Sequence, residues 1–446
     1  MSDFAVVNGR VLHAGARKPE DVELAVEDGV VTRVAESVRE DRVDETVDAD
    51  GAYVLPGAVD AHVHFREPGA TQKEDWRTGS RSAAAGGVTT VVDQPNTEPP
   101  TVTGEEFDEK RELAEKSVVD YGINAGVTED WRPDELAERP VSAYGEVFMA
   151  DSTGNMGVDA SLFERAVRRL GGRGELVTVH AEDSDEFVDV DLDTEDADVW
   201  SRHRPPEAEI AAVERAVDVA DEPVHFAHVS HPKSVDVIEG TPHTCEVTPH
   251  HLLLSREDLD ALGTQGKMNP PLRSEGARRR LFEYLENGKV DCVATDHAPH
   301  TADEKDAPVR EAPSGVPGVE TLYPLLLAPA FDGELELGHV VELVAEGPAR
   351  VFGRADRRLA RSSEASGFRD FDDKGGIREG NDADLVLVDE ASEEVDAERL
   401  HSRCGWTPYE GFDAVFPHKV LRRGEVVYER DDECESFAED SGKLIA

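Results

Sequence analysis

The chain has 446 residues, of which 47 are Lys or Arg and 97 are Asp or Glu, so its formal net charge is −50. A charge of this sign repels nucleic acids and anionic membrane surfaces, and the lack of any run of eighteen apolar residues argues against a membrane-spanning helix. The length suits one large domain joined to a smaller one.

The acidic residues are spread along the whole chain, and only 11 of the 47 basic residues are Lys. A disordered acidic tail would concentrate its acids in one block. Dispersed acids with few lysines predict instead a folded protein whose surface suits molar salt, where charge repulsion is screened beyond about 3 Å. The alternative is an ordinary acidic enzyme of the cytosol.

The cysteines and the first residues indicate the compartment. Cys245, Cys292, Cys404 and Cys434 lie far apart and form no CxxC pair, which is typical of the reducing cytoplasm. The first residues, MSDFAVVNGR, lack a basic start followed by an apolar stretch, so we expect no signal peptide.

Both ends of the chain show short apolar runs broken by NG and DG steps, which are hairpin signals. These runs lie at 4–13, 21–36, 45–57, 377–390 and 416–432. We expect residues 1–54 and 346–446 to pair into one small β-sandwich, with a polar surface insertion at 354–375.

Between the two ends, from 55 to 345, short β-rich runs alternate with helical stretches such as 104–117 and 161–172. Eight such runs occur, at 59–65, 88–95, 121–127, 143–150, 175–182, 223–230, 243–250 and 290–297. Apolar strands that alternate with helices indicate a parallel sheet. Eight units in this length predict an α/β fold, a (β/α)8 TIM barrel; an open doubly wound sheet is the alternative.

Reactive side chains follow the predicted strands. They are His62, His64, Asn96, Glu146, His180, His228, His250, His251 and Asp296. Active sites of such barrels lie at the carboxyl ends of the strands. The sequence therefore places its chemistry at one mouth of the barrel.

His62 and His64 stand two apart on one strand, so both side chains face the same way and one metal could bind both. An isolated HxH pair is a weak signal. Together with His180, His228 and Asp296 it predicts a metal site, and imidazole with carboxylate but no thiolate suits Zn, Mn, Co or Ni. So many ligands suggest two metals rather than one.

Several sequence motifs carry a family resemblance that runs over nearly the whole chain. They are DAHVHFREPG (60–69), QPNT (94–97), VTPHHLLL (247–254), KMNPPLR (267–273), ATDHAPH (294–300), PSGVPGVET (313–321) and SRCGWTPYEG (402–411). This series resembles the dihydroorotases of the amidohydrolase superfamily. The HxH pair is shared with hydantoinases and allantoinases, whereas NPPLR, TDHAPH and CGWTP together are more specific to dihydroorotases.

The resemblance implies roles for individual residues. It implies two zinc ions per subunit, the first bound by His62 and His64 and the second by His180 and His228. Asp296 would touch metal and act as the general acid and base. The residues implied in substrate binding are His64, Arg66, Asn96, Asn269, His300, Gly315 and Val316, among which Arg66, Asn96 and His300 would hold the carboxylate.

The sequence departs from the family pattern at the fourth strand. Many relatives bridge the two metals with a carboxylated lysine in a stretch like KVFMA, whereas this chain reads GEVFMADST with Glu146 in that place. A glutamate carboxylate offers the same charge and two oxygens. Glu146 is the favoured bridge, Asp151 is the alternative, and a site with one firmly held metal is the third possibility.

The resemblance also implies an activity, which is the reversible cyclisation of N-carbamoyl-L-aspartate to L-dihydroorotate in pyrimidine biosynthesis. It implies a small-molecule substrate, a cytoplasmic homo-oligomer (dimer or tetramer) and, with the acidic composition, a halophilic archaeal source. The competing hypotheses are a hydantoinase- or allantoinase-like cyclic amidase and a non-catalytic barrel scaffold. We expect His231 to face away from the site, and Cys404 and Trp406 to be structural.

Overall fold

The computed structural model describes residues 3–14, 16–38, 43–149, 156–353, 370–431 and 434–445. Asp151 and most of the insertion predicted at 354–375 lie outside these described residues. Within them, no helix is both long and apolar enough to cross a bilayer.

Within the described residues, the strands form a barrel and three further sheets. In chain order they are β1 (Phe4–Val7), β2 (Arg10–Val11), β3 (Glu23–Glu27), β4 (Val30–Ala35), β5 (Glu45–Asp48), β6 (Tyr53–Pro56), β7 (Ala58–Val63), β8 (Val88–Asp93), β9 (Asp120–Ile123), β10 (Tyr144–Phe148), β11 (Val177–His180), β12 (His225–Phe226), β13 (Thr244–Val247), β14 (Cys292–Val293), β15 (Leu385–Val388), β16 (Glu393–Glu394), β17 (Asp413–Ala414), β18 (Lys419–Arg422), β19 (Glu425–Arg430) and β20 (Glu435–Phe437).

The helices lie mainly between the barrel strands. In chain order they are α1 (Trp76–Ala85), α2 (Gly104–Ala114), α3 (Pro133–Leu136), α4 (Ala160–Gly171), α5 (Asp198–His203), α6 (Pro206–Val219), α7 (Pro232–Ile238), α8 (Pro249–Leu253), α9 (Leu259–Leu262), α10 (Glu275–Glu286), α11 (Ala302–Lys305), α12 (Leu322–Phe331), α13 (Leu337–Val341) and α14 (Gly347–Gly353). The helices predicted at 104–117 and 161–172 are confirmed as α2 and α4.

Strands β7 to β14 close into a barrel. They form two parallel groups, β7-β8-β9 and β10 to β14. A parallel bridge between Ala125 and Tyr144 joins the groups on one side, and one between Val63 and His297 joins them on the other. Every residue of β7 and β8 is buried, as expected where helices cover a parallel sheet. The barrel prediction is confirmed, and the open-sheet alternative is wrong because both edges are paired.

Both ends of the chain contribute to the smaller sheets. A four-stranded sheet has the order β4-β3-β1-β5, and a six-stranded sheet has the order β2-β6-β15-β18-β19-β20. Leu55 in β6 stands opposite Val386 in β15. The predicted pairing of the two end segments is thus confirmed, while the domain boundaries at 54/55 and 345/346 stay predictions.

A buried ionic cluster ties the C-terminal segment to the barrel. Nζ of Lys374 lies 2.6 Å from Asp120, at the start of β9, and 2.9 Å from both Asp382 and Asp384. Arg422 lies 3.0 Å from Asp120 on the other side. Because a buried charge is tolerated only when it is paired and hydrogen-bonded, this cluster fixes how the small sheets sit against the barrel.

Close packing fixes the strand that carries the HxH pair. Phe65 follows β7, and its ring stands edge-on to Trp76 of α1 with the centroids 5.2 Å apart. Gly79 of α1 faces the same ring, and a Cβ there would come within 2.5 Å of it. Since any other residue would push the helix away, Gly79 allows α1 to hold the end of β7 in place.

Candidate active site

Glu146 lies among four histidines at the carboxyl-terminal mouth of the barrel. Its Oε2 is 2.6 Å from Nε2 of His228 and 3.1 Å from Nδ1 of His180. Its Oε1 is 3.2 Å from Nε2 of His62 and 3.8 Å from Nε2 of His64. All five side chains are buried. The structure therefore brings the four predicted imidazoles around one carboxylate.

Asp296 completes the cluster on the side of β7. Its Oδ1 lies 2.9 Å from Nε2 of His64 and 3.6 Å from Nε2 of His62. Within this cluster of four histidines, Glu146 and Asp296, two sets of ligand atoms are each compact enough for one ion. They are His62 with Glu146 and His228, and His62 with His64 and Asp296.

In His62, His64 and His180, one ring nitrogen faces Glu146 or Asp296, and a hydrogen bond to the other nitrogen orients the ring. Nδ1 of His62 lies 2.7 Å from Glu246, and Nδ1 of His64 lies 2.7 Å from Oδ1 of Asn96. Such outer partners fix the tautomer and the direction of the ring toward a metal. Sequence reasoning missed Glu246, although a lone glutamate inside the apolar strand β13 was a visible signal.

His180 has a stronger support than the others. Its Nε2 lies 2.9 Å from Glu182, and that carboxylate accepts two hydrogen bonds from Arg204, at 3.1 and 2.8 Å. Burial opposes the charge of His180, but hydrogen bonds to Glu146 and Glu182 raise its pKa to about 9. Glu182 and Arg204 were also missed, because nothing in the sequence pairs a strand-end acid with an arginine 22 residues later.

The charges and free lone pairs of this cluster fit a bound cation. Burial disfavours ionised Glu146, yet its interactions with the imidazoles of His62 and His228 hold its pKa well below the usual range. Among the described residues, His62 Nε2 and His228 Nδ1 have no hydrogen-bond partner although both are buried. Buried polar atoms of this kind are normally satisfied, and the nitrogen and oxygen donors suit zinc and similar divalent ions.

Three residues of the site hold an unusual backbone conformation. Arg66, His228 and Asp296 have φ of 61°, 36° and 47°. Residues other than glycine rarely adopt positive φ, and such positions concentrate at functional sites. Here they turn the chain sharply where strands end, which directs the three side chains into the cleft.

The opposite end of the cleft is cationic. Nη2 of Arg66 lies 3.2 Å from Nε2 of His300, and Nζ of Lys73 lies 3.1 Å from Nδ1 of the same ring. Burial, together with the charges of Arg66 and Lys73, holds the pKa of His300 well below its usual range. Burial also lowers the pKa of Arg66 to about 10, so the guanidinium stays charged beside a neutral imidazole at neutral pH.

The three remaining predicted substrate residues lie in different surroundings. Asn269 lines the cleft, and its Oδ1 accepts a hydrogen bond of 2.9 Å from Trp200. Gly315 also lines the cleft with φ of 130°, and a Cβ there would lie 2.6 Å from the carbonyl oxygen of Ala298. Val316 points into an apolar cluster, while its carbonyl oxygen accepts from the amide of Ala298 at 2.8 Å.

Other histidines near the mouth have structural partners. His231 caps the start of α7 and accepts from the amide of Lys233. His251 contacts Thr248 at 2.8 Å and the carbonyl of Pro270 at 3.0 Å. The ring of His250 meets it edge-on, with the centroids 4.3 Å apart. The position of His231 agrees with the expectation that it faces away from the site.

The comparisons with known proteins agree with this geometry. Residues 53–358 match the model of the amidohydrolase family. A dihydroorotase of Halobacterium salinarum is 55% identical over 391 residues, which are 86% of this chain and 89% of that protein. A dihydroorotase of Methanosarcina acetivorans is 42% identical, covering 97% and 93%. The fold superposes on an L-hydantoinase from Arthrobacter aurescens with a TM-score of 0.88 and 27% identity over the full length of both chains.

Proposed function

The chain belongs to the amidohydrolase family and within it to the dihydroorotases, and from this premise we propose that it interconverts N-carbamoyl-L-aspartate and L-dihydroorotate in pyrimidine biosynthesis. The enzyme is a hydrolase that acts on cyclic amides. The observation that carries the specific substrate is the juxtaposition of the histidine and carboxylate cluster with the cationic end of the same cleft. The first can act on the amide, and the second can hold a carboxylate.

The proposal includes two zinc ions per chain. His62, His64 and Asp296 would hold one, and His180 and His228 the other, with Glu146 between them. The convergence of four imidazoles on Glu146 supports this residue as the bridge in preference to Asp151, which lies outside the described residues. When bound, such ions polarise a carbonyl and lower the pKa of water to about 7.

Asp296 is the proposed general base and acid. Burial opposes its ionisation, but the hydrogen bond from His64 and the charge of His62 hold its pKa below the usual range. It is therefore ready to take the proton of the attacking water. In hydrolysis the water oxygen bonds to the ring carbonyl carbon, the bond from that carbon to the ring nitrogen breaks, and Asp296 passes the proton to the departing nitrogen. Cyclisation runs through the same transfers in reverse.

Arg66, Asn96 and His300 are proposed to hold the substrate carboxylate. The planar fork of Arg66 suits two-point binding of a carboxylate. Oδ1 of Asn96 already accepts from His64, so its amide NH2, which has no partner among the described residues, can donate to substrate. Asn96 would therefore link the ligand His64 to the carboxylate-binding end.

A hydantoinase-like activity is the competing proposal, and the TM-score of 0.88 to an L-hydantoinase supports it. The identity of 55% to a dihydroorotase and the presence of Arg66 and His300 argue for the carboxylated ring. A scaffold without activity would have no need to bring these ligands together.

The deciding experiment counts metals and compares substrates. Purified chain in molar KCl is analysed for bound metal, and turnover of dihydroorotate, hydantoin and allantoin is measured before and after chelation. We expect two zinc ions per chain, turnover of dihydroorotate alone, and loss of that turnover on chelation with recovery when zinc is returned. Faster hydrolysis of hydantoin or allantoin would contradict the substrate, and undiminished turnover after complete metal removal would contradict the metal.

The cellular setting is part of the same proposal. We place the enzyme in the cytoplasm of a salt-adapted archaeon as a homodimer or homotetramer that acts on a small molecule. The dispersed acids, the scarcity of lysine and the relative from Halobacterium salinarum support this setting.

A further inference from the structure

Two buried lysines beside the cleft have only carbonyl oxygens as hydrogen-bond partners. Nζ of Lys267 donates to Val309 and Ala312, at 2.6 and 2.5 Å. Nζ of Lys305 donates to the carbonyls of Lys267, Pro313 and Gly315, at 2.8, 3.0 and 3.0 Å. The exposed fraction is 5% for Lys267 and 0% for Lys305. Within the described part of the chain, neither ammonium forms an ion pair with a carboxylate.

The chain has 97 acidic residues, so a shortage of carboxylates does not explain why Lys267 and Lys305 lack ion pairs among the described residues. Two other fully buried lysines are paired: Lys110 contacts Asp93, and Lys374 contacts three aspartates. An unpaired buried ammonium is unfavourable. Burial and the nearby charge of Arg204 accordingly lower the pKa of Lys267 to about 8. Burial and the charges of Lys267 and Arg66 likewise hold the pKa of Lys305 well below its usual range. Two lysines kept in such an unfavourable place suggest a functional role there.

Each of these lysines lies against a tryptophan that also contacts the substrate-binding set. Nζ of Lys267 is 4.0 Å from the ring centre of Trp200, whose indole donates to Asn269. Nζ of Lys305 is 5.7 Å from the ring centre of Trp406. The indole of Trp406 donates to the carbonyl of His300 at 2.8 Å. The two lysine–tryptophan pairs therefore support both flanks of the cationic end.

Building on the proposed function, we propose that Lys267 and Lys305 are positioning residues for the carboxylate end of the substrate. Their ammonium groups hold the carbonyls of residues 309–315, so that Gly315 is presented to the cleft. A bound carboxylate would favour the charged form of both lysines, so the pair favours a ring or open chain that carries a carboxylate over one that does not.

Because Lys267 and Lys305 are buried, concentrated salt screens their charges less than it screens charges on the surface. Exposed charges more than about 3 Å apart are screened at 1 M ionic strength, whereas buried charges are screened far less. A surface lysine would attract substrate poorly in such a solution. A lysine enclosed by carbonyls and an indole keeps its field inside the cleft, within a protein whose overall charge of −50 repels anions.

The test compares a carboxylated ring with the same kind of ring without the carboxylate. Orotate and 5,6-dihydrouracil serve as competitive probes against Lys305→Met and Lys267→Met, and Lys289→Met is the control for loss of one positive charge at a distant, partly exposed site. We expect each cleft variant to bind orotate about tenfold more weakly and to raise the KM for dihydroorotate similarly. The kcat, the metal content and the inhibition by dihydrouracil should change by less than about threefold.

Equal weakening of both probes would overturn the proposal, because it would mean that the lysines only maintain the shape of the loop. Unchanged orotate binding would overturn it as well. A second measurement needs no variant: orotate affinity of the wild-type enzyme should change by less than about threefold between about 0.5 and 3 M KCl. A steeper fall with salt would mean that exposed charges dominate. If the wild type neither binds orotate nor turns over dihydroorotate, the proposed function itself has failed.

Discussion

The carboxylate of Glu246 lies 2.7 Å from Nδ1 of His62, on the side of the imidazole away from Glu146. Its other oxygen lies 3.1 Å from Nε2 of His225, so the glutamate is held between two rings. A carboxylate in this position fixes the proton on Nδ1 and leaves Nε2 free to face a metal.

We therefore expect Glu246→Gln to weaken metal binding by about 10- to 100-fold, since the amide cannot hold the ring with the same charge. Competition against a chelator of known affinity measures this directly. Glu239→Gln, at the surface, is the matched control. Metal affinity equal to that of the wild type would show that His62 needs no such support.

Replacing Asp296 by Asn should mainly reduce turnover. The amide keeps the shape and tolerates the left-handed backbone at this position, but it cannot accept a proton from water. The kcat should fall by about 10²- to 10⁴-fold, with KM changed only a few-fold. Steady-state kinetics on zinc-saturated enzyme provide the measurement, and turnover near the wild-type value would remove Asp296 from the proton transfer.

Replacing Arg66 should mainly affect recognition. Loss of a charge-assisted hydrogen bond, about 1.5–3 kcal/mol, predicts a KM for dihydroorotate that is roughly 10- to 100-fold higher in Arg66→Ala. Arg66→Lys keeps the charge but loses the planar guanidinium, so its KM should lie between those of the wild type and Arg66→Ala. An Ala variant with unchanged KM and reduced kcat would place Arg66 elsewhere in the reaction.

Stability should depend on pH through His401, which is not one of the proposed metal ligands. Glu320 and Glu435 lie 2.8 and 3.0 Å from its two nitrogens, and although burial opposes the charge, they raise its pKa to about 9 from 6.5. A raised pKa stabilises the fold fully below pH 6.5, and the effect is lost as pH rises through about 9.

The free energy of unfolding of the wild type relative to His401→Gln should thus fall by on the order of 1–3 kcal/mol between pH 6.5 and 9.5. Urea denaturation of both proteins at the two pH values gives this difference. The same offset at both pH values would show that the ion pairs contribute nothing that titrates in this range.

The acidic surface should make folding depend on salt. Self-repulsion of a chain with charge −50 is screened as ionic strength rises, so we expect Tm to increase by about 10 °C or more between about 0.2 and 2 M KCl. Differential scanning calorimetry provides the measurement. A Tm that is constant or falls with KCl would contradict a salt-adapted surface.

Much of the fold and the candidate site was predictable because the signals were local or followed one rule of the barrel. Eight apolar runs separated by helices predicted the strands, and polar side chains at their ends predicted that His62, His180 and Asp296 would meet. The rule needs no knowledge of contacts, since all parallel strands end at the same mouth.

The supporting residues were not predictable in this way. Glu246 acts on His62, which is 184 residues away, and Glu182 is held by Arg204, which is 22 residues away. Lys305 binds carbonyl groups, which every residue has. Their roles depend on how side chains are placed after packing, and no spacing along the chain encodes that placement.

The shared six-stranded sheet has a consequence for biosynthesis. Strand β6 meets β15 only after more than 300 further residues have been made, which at about 5–20 residues per second takes roughly 15–65 s on the ribosome. During that interval the edge of β6 that will pair with β15 has no strand to bond to. The nascent chain must therefore keep this edge from pairing with other strands while the barrel forms. The strands from β15 onward then complete the sheet. A chain whose synthesis stops before residue 385 keeps an unpaired edge on β6, which proteases can recognise.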